Sequence, residues 1–207
     1  MAKSKNLVTA EYYHRWGEHY YDLAAGKEDD EAPQSEIDAS WRLAAANFWF
    51  ALTLGGEQAP FWLFKCFRQG VGVEKDPYIR DLMYGAALQL TPKDAKFKVK
   101  PENKPKISKS MQPAIDEFVK LVKDTKQQLP KEGVDAAVSN DQLTKFNHAI
   151  KLPGGKLIQK CFTEKSTAAT TYDEHGASTS AHDTSADSGV HDIAIGGESP
   201  EHYPHHH

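Results

Sequence analysis

Apolar side chains recur at helical spacing in several stretches of the chain, separated by polar or glycine-rich breaks. In residues 59–76, APFWLFKCFRQGVGVEKD, Ala59, Leu63 and Phe67 are four apart and form one helical stripe. Gly70-Val71-Gly72-Val73 breaks that helix. Gly70 suits a left-handed C-terminal cap, Gly72 permits a tight turn, and Val73 is an apolar plug beneath it. Asp76 then reads as an N-cap with Pro77 in the first helical position. Ile79, Leu82, Met83, Ala86 and Ala87 supply the apolar face of a helix predicted over 78–89. Upstream, 11–25 reads as a first helix, 26–35 as an acidic loop, and Ala44, Phe48, Ala51 and Gly55 as a second-helix pattern. Downstream, Ser110 is placed to cap a helix and Pro113 fits its first turn. Ile115, Phe118, Val119 and Val122 fall at i, i+3, i+4 and i+7 of that helix, which ends at Leu129-Pro130. A short helix is predicted over 141–151, with Leu143, Phe146 and Ile150 on one side. A turn at Pro153-Gly154-Gly155 and the apolar piece Leu157-Ile158 follow.

Composition divides the chain into four parts. Residues 7–90 hold all four tryptophans and most tyrosines, so the core is expected there. Residues 91–110 carry seven lysines, two acids and three prolines, which reads as an extended basic linker or arm. Residues 111–162 form a helical C-terminal segment. Residues 163–207 carry eight acids, one lysine and few large apolar side chains. Such a tail buries too little surface to offset its ordering entropy, and disorder is expected. A mean hydropathy of -0.63 over 207 residues agrees with part of the length being unpacked.

Charge and cysteine usage narrow the function. The net charge of -4 and pI near 6.2 argue against a nucleic-acid binder by overall charge. No apolar run approaches the ~20 residues of a membrane span, and no leader-like stretch follows the basic start. Cys66 and Cys161 are too few for a disulfide scaffold and read as reduced thiols, so a cytoplasmic protein is expected. Neither a His-Glu-x-x-His, a Cys-x-x-Cys nor a nucleophile elbow occurs. Gly154-Gly155-Lys156 echoes a phosphate loop without completing it. His14 and His19 are five apart, the wrong spacing for one helix face. Seven of the ten histidines lie in the tail, where flexible ligands make a poor metal site. No enzyme activity, cofactor or metal is expected.

The residues around the glycine turn resemble the Sel-one-like repeat, a relative of the tetratricopeptide repeat. Ala59, Leu63, Phe67, Gly70, Gly72, Val73, Asp76, Ala86 and Ala87 fall in register with that unit, with Phe64 and Leu82 as departures. Ala44 to Ile79 spans 79 − 44 = 35 residues, close to the family's period, and Trp16-Gly17 with Tyr20 occupies the corresponding place in an earlier unit. The resemblance covers about residues 9–90. It implies an all-α fold: a short α/α solenoid of two helix pairs, followed by C-terminal helices and the tail. It further implies protein–protein interaction through a concave face, as in bacterial adaptors and immunity proteins that accompany secreted effectors. Arg15, Glu18, Trp62, Lys65 and Arg68 stand at positions the repeat leaves variable and are the candidate partner-binding residues, with Trp62 foremost. Gly70, Gly72, Val73 and Asp76 are the structural turn. The partner expected is another protein, and a homo-oligomer stays open. The alternative uses the basic arm, Lys93 to Lys109 with Phe97, on nucleic acid or an anionic surface. Nucleic acid is disfavoured, because lysine without arginine reads bases poorly.

Overall fold

The computed structural model describes residues 7–91 and 104–162. The tail read as disordered, and most of the basic arm, lie outside them. The described residues contain six α-helices: α1 Ala10–Asp29, α2 Gln34–Thr53, α3 Ala59–Gln69, α4 Pro77–Leu90, α5 Gln112–Gln128 and α6 Ala136–Ala149. Among the described residues no strand forms beyond two isolated antiparallel bridges, so the all-α expectation holds.

The glycine turn forms as its sequence dictates. Gly70 caps α3 in the left-handed region at φ 76°, and its N–H donates to the Cys66 carbonyl at 2.7 Å. Gly72 follows at φ 70°. Val73 is buried beneath the turn, and the Asp76 carboxylate accepts from the Ile79 N–H at 2.9 Å at the start of α4. Gly72 also passes directly against α2: a Cβ there would collide with the Trp41 carbonyl oxygen. The hinge of the second helix pair is thus seated on a helix of the first.

Three boundaries differ from the sequence reading. Residues 26–35 are not an open loop: α1 continues to Asp29 and α2 begins at Gln34, leaving a turn of four residues. Gly26 has open space around it, and the acids that follow are solvated, so nothing there interrupts the helix. The turn is held by Trp41 Nε1 donating to Glu28 Oε1 at 2.8 Å and by a Lys27–Glu36 ion pair. Ser110 is not a cap. It lies in a 3-10 turn, Lys109–Met111, that runs straight into α5, and its hydroxyl bonds to that of Ser108. The last helix starts at Ala136, not 141, because Asp135 caps it by accepting from the Val138 N–H at 3.0 Å.

Whether the helices of 111–162 pack on the helix pairs is open from sequence; in the structure one core joins both parts. α2 packs against α1, α3, α5 and α6, and α4 packs against α3 and α5. Phe48, Phe64, Phe67, Ile115, Val122, Phe146 and Ile158 are all buried in that core. The two helix pairs are therefore closed around α2 by the C-terminal helices. The basic arm reaches this core as well, since Ile107 packs on it beside Gly85 and Ile115. Two short ties complete the enclosure. Val8 and Val134 exchange backbone hydrogen bonds of 2.8 and 2.9 Å. At the other end the Glu74 N–H donates to the Cys161 carbonyl at 2.8 Å, and the Phe162 ring meets Trp49 and Phe67. Lys156 Nζ closes that strap on Asp76 Oδ2 at 3.2 Å, which holds the ammonium above its usual range.

The two turn glycines are expected to differ in substitution. Gly70→Ala meets only the flexible Lys75 side chain and carries mainly left-handed strain, about 1–2 kcal/mol. Gly72→Ala adds a backbone collision and should cost clearly more in chemical denaturation; equal losses would contradict this placement of the turn on α2.

Candidate protein-binding seam

Of the residues singled out, Trp62, Lys65 and Arg68 of α3 face α1 residues across one seam, floored by Phe48 of α2, with Glu18 nearby. Phe48 is fully buried, and it reaches this position because Gly17 on α1 has no side chain: a Cβ there would stand 2.5 Å from the ring. Trp62 of α3 stacks on Phe48 with ring centroids 5.1 Å apart and planes 7° apart. Tyr21 of α1 meets Trp62 edge-on at 4.9 Å, and its hydroxyl donates to Gln69 Oε1 at 3.3 Å. His14 approaches both Phe48 and Trp62 edge-on. Trp62 is therefore a half-buried packing residue, with one face on Phe48 and the other side turned to Lys65.

Lys65 is the polar centre of the seam. Its Nζ lies 4.1 Å from the Trp62 ring centroid, 4.3 Å from Tyr21 and 5.6 Å from Phe61. Rings present their negative faces to a cation, which is worth more as water is excluded. Burial opposes this and pushes the ammonium below its usual pKa, while Asp22 and Glu18 favour the charge at longer range. Among the described residues no carboxylate comes within ion-pair distance of Lys65 or of Arg68, which stands 5.8 Å from the Phe64 ring. The seam thus presents two cations backed by rings.

The remaining candidates divide. Glu18 lies near the seam and pairs with His14 at 3.4 Å. Arg15 does not join it: the side chain is exposed and paired with Glu11 at 2.6 Å on the outer face of α1. Burial raises the Tyr21 hydroxyl and the Cys66 thiol to about 12 each, so both stay protonated at neutral pH. Among the described residues no group of three or more His, Cys, Asp or Glu is placed to hold a metal ion. A separate cavity of ≈ 230 Å³ lies between α4, α5 and the end of α6, lined by Tyr78, Leu82, Phe118 and Ile150, and none of the candidates reaches it. No helix among the described residues is long and apolar enough to cross a membrane. Of the seven lysines of the basic arm, Lys104, Lys106 and Lys109 are described and exposed, and the other four lie outside the described residues.

The sequence reading missed Tyr21 and Phe61, which complete the rings around Lys65. The signal was present in the spacing, since Tyr21 is seven residues after His14 and so on the same helix face. Compared with known proteins, the sequence matches no family model and no curated protein, and the fold matches no solved structure.

Because Trp62 packs, Trp62→Ala is expected to destabilise the fold by about 2–4 kcal/mol, near the lower part of the range for buried aromatic truncation. Lys65→Met should leave stability within about 1 kcal/mol. Thermal or denaturant unfolding of the two variants checks this, and a neutral Trp62→Ala would contradict the stacked arrangement.

Proposed function

We propose that this protein is a non-enzymatic docking module, built on two degenerate Sel-one-like helix pairs, that binds another protein across the α1–α3 seam. The single observation that supports it most is the pair of cations on α3. Lys65 is held over aromatic rings and Arg68 beside another, and among the described residues neither has a carboxylate within ion-pair distance. A surface that partly desolvates an ammonium without pairing it is ready for an incoming acid, because the cost of drying that charge is already partly met. The partner presents Asp or Glu side chains to Lys65 and Arg68, and apolar surface to Phe61 and the exposed edge of Trp62. Aromatic and arginine anchors of this kind carry a large share of binding energy in protein interfaces. The role is that of an adaptor or scaffold, and an adaptor or immunity role beside a bacterial secreted effector belongs to this reading.

The test uses the double variant Lys65→Glu/Arg68→Glu, with Lys120→Glu on the exposed face of α5 as control. Affinity capture from native lysate followed by mass spectrometry should recover a protein with wild type and the control, and lose it with the double variant at unchanged melting temperature. Binding of that protein should weaken as salt rises. Recovery of the same protein by all three forms would refute the seam as the docking site.

A further inference from the structure

The flank of α1 turned away from the seam carries a second surface. Tyr12, Trp16, His19 and Leu23 lie at intervals of four, three and four along α1. Helical rotation sets Trp16, Leu23 and Tyr12 roughly 140–180° around from Tyr21. Their rings form one contiguous group. Trp16 meets Tyr12 at 6.5 Å and His19 at 5.4 Å edge-on, and stacks on Tyr20 at 5.7 Å. Yet Tyr12 is 44% exposed and Leu23 39%, two of the most exposed large apolar side chains among the described residues, and His19 is exposed too. Four-three-four spacing is the a/d seam of a coiled coil, a stripe that a second helix of the same kind covers.

We propose that a second copy of this chain covers the stripe, with the two α1 helices antiparallel about a two-fold axis near residues 17 and 18. A two-fold interface places the same patch on both partners. In this register Tyr12 of one copy meets Leu23 of the other, and Trp16 meets His19. The flanking charges fit the same register. Arg15 comes within one helical turn of Asp22 of the second copy, offset by two residues along the axis (about 3 Å), twice over, and both side chains are exposed. Asp22 makes no ion pair among the described residues, and Arg15 has only Glu11 of its own helix. The acidic tail is a poor occupant by comparison. α1 has a net charge of 2 − 5 = −3 and the tail one of 1 − 8 = −7, so the tail meets the stronger repulsion, and it lacks the reciprocal Arg15–Asp22 contacts that offset the repulsion between two copies of α1. The stripe itself is distinct from the Lys65 seam, but Asp22 also lies within electrostatic reach of Lys65, so Leu23→Glu is the variant that separates the two.

Sedimentation velocity on the full chain, at concentrations up to ~100 μM, reads the association directly. Wild type is expected to dimerise. Leu23→Glu, at an exposed position that leaves the fold intact, is expected to shift the midpoint at least about tenfold upward, the effect of an unpaired charge dried against Tyr12 of the second copy. Arg15→Asp and Asp22→Arg should each weaken the dimer, and the two together should restore it. Tyr12→Cys with Leu23→Cys in one chain should give a disulfide-linked dimer under mild oxidation, and neither cysteine alone should do so. A wild type that stays monomeric over the whole range overturns the proposal. So does a dimer indifferent to Leu23→Glu and to the charge swaps, or one lost only when the chain is cut after Phe162, which would make the tail the occupant.

Discussion

Phe48 and Gly17 set the distance between the first two helices, and most of the molecule is arranged around that contact. The ring sits where a side chain on α1 would otherwise be, fully buried. From there it supports Trp62 on one face and takes the edge of His14. Trp62 in turn fixes Tyr21 and offers its outer side to Lys65. The positions of the binding groups are therefore inherited from a core contact. A partner meeting Lys65 meets a cation whose rings are held from behind, so little ordering remains to be done at the moment of binding.

The second constraint is closure. A pure repeat stack needs a polar cap on each exposed end. Here α5 and α6 fold back on α2 and α4, and the 153–162 strap ties down the glycine turn through Asp76, Val73 and Phe67. Asp76 has two duties: one carboxylate oxygen caps α4 and the other holds Lys156. The turn that resembles a repeat hinge is thus also the anchor of the C-terminal segment. With α2 enclosed on all these sides, α1 keeps a flank that no other described element covers, which is where the aromatic stripe lies.

How much of this was legible in the sequence depends on range. The turn at Gly70, Gly72 and Asp76 was legible residue by residue, because caps and left-handed glycines are determined within a few positions. The apolar face of α5 was legible from its period alone. The facing ends of α1 and α2 were less so. Acidic residues and a lone glycine suggest a loop, yet a solvated helix end tolerates both, and the ties that decide the matter, Trp41 to Glu28 and Lys27 to Glu36, join residues on different helices. Trp62 shows the same limit at the site. Its residue type suited an exposed anchor and packing under the neighbouring helix alike, and the tertiary contact with Phe48 shows that one face is spent on packing. The closure by α5 and α6 was not legible, since nothing in the spacing of Ile115 or Phe146 says which helix they will meet.

The contact between Gly17 and Phe48 carries the whole account, and a double-mutant cycle on unfolding free energy tests it most directly. Gly17→Ala should be strongly destabilising in the native background and far less so in a Phe48→Leu background, where the smaller side chain yields to the added methyl; the coupling should exceed about 1 kcal/mol. Equal costs of Gly17→Ala in both backgrounds would mean that the two residues do not meet, and the seam built on them would lose its floor.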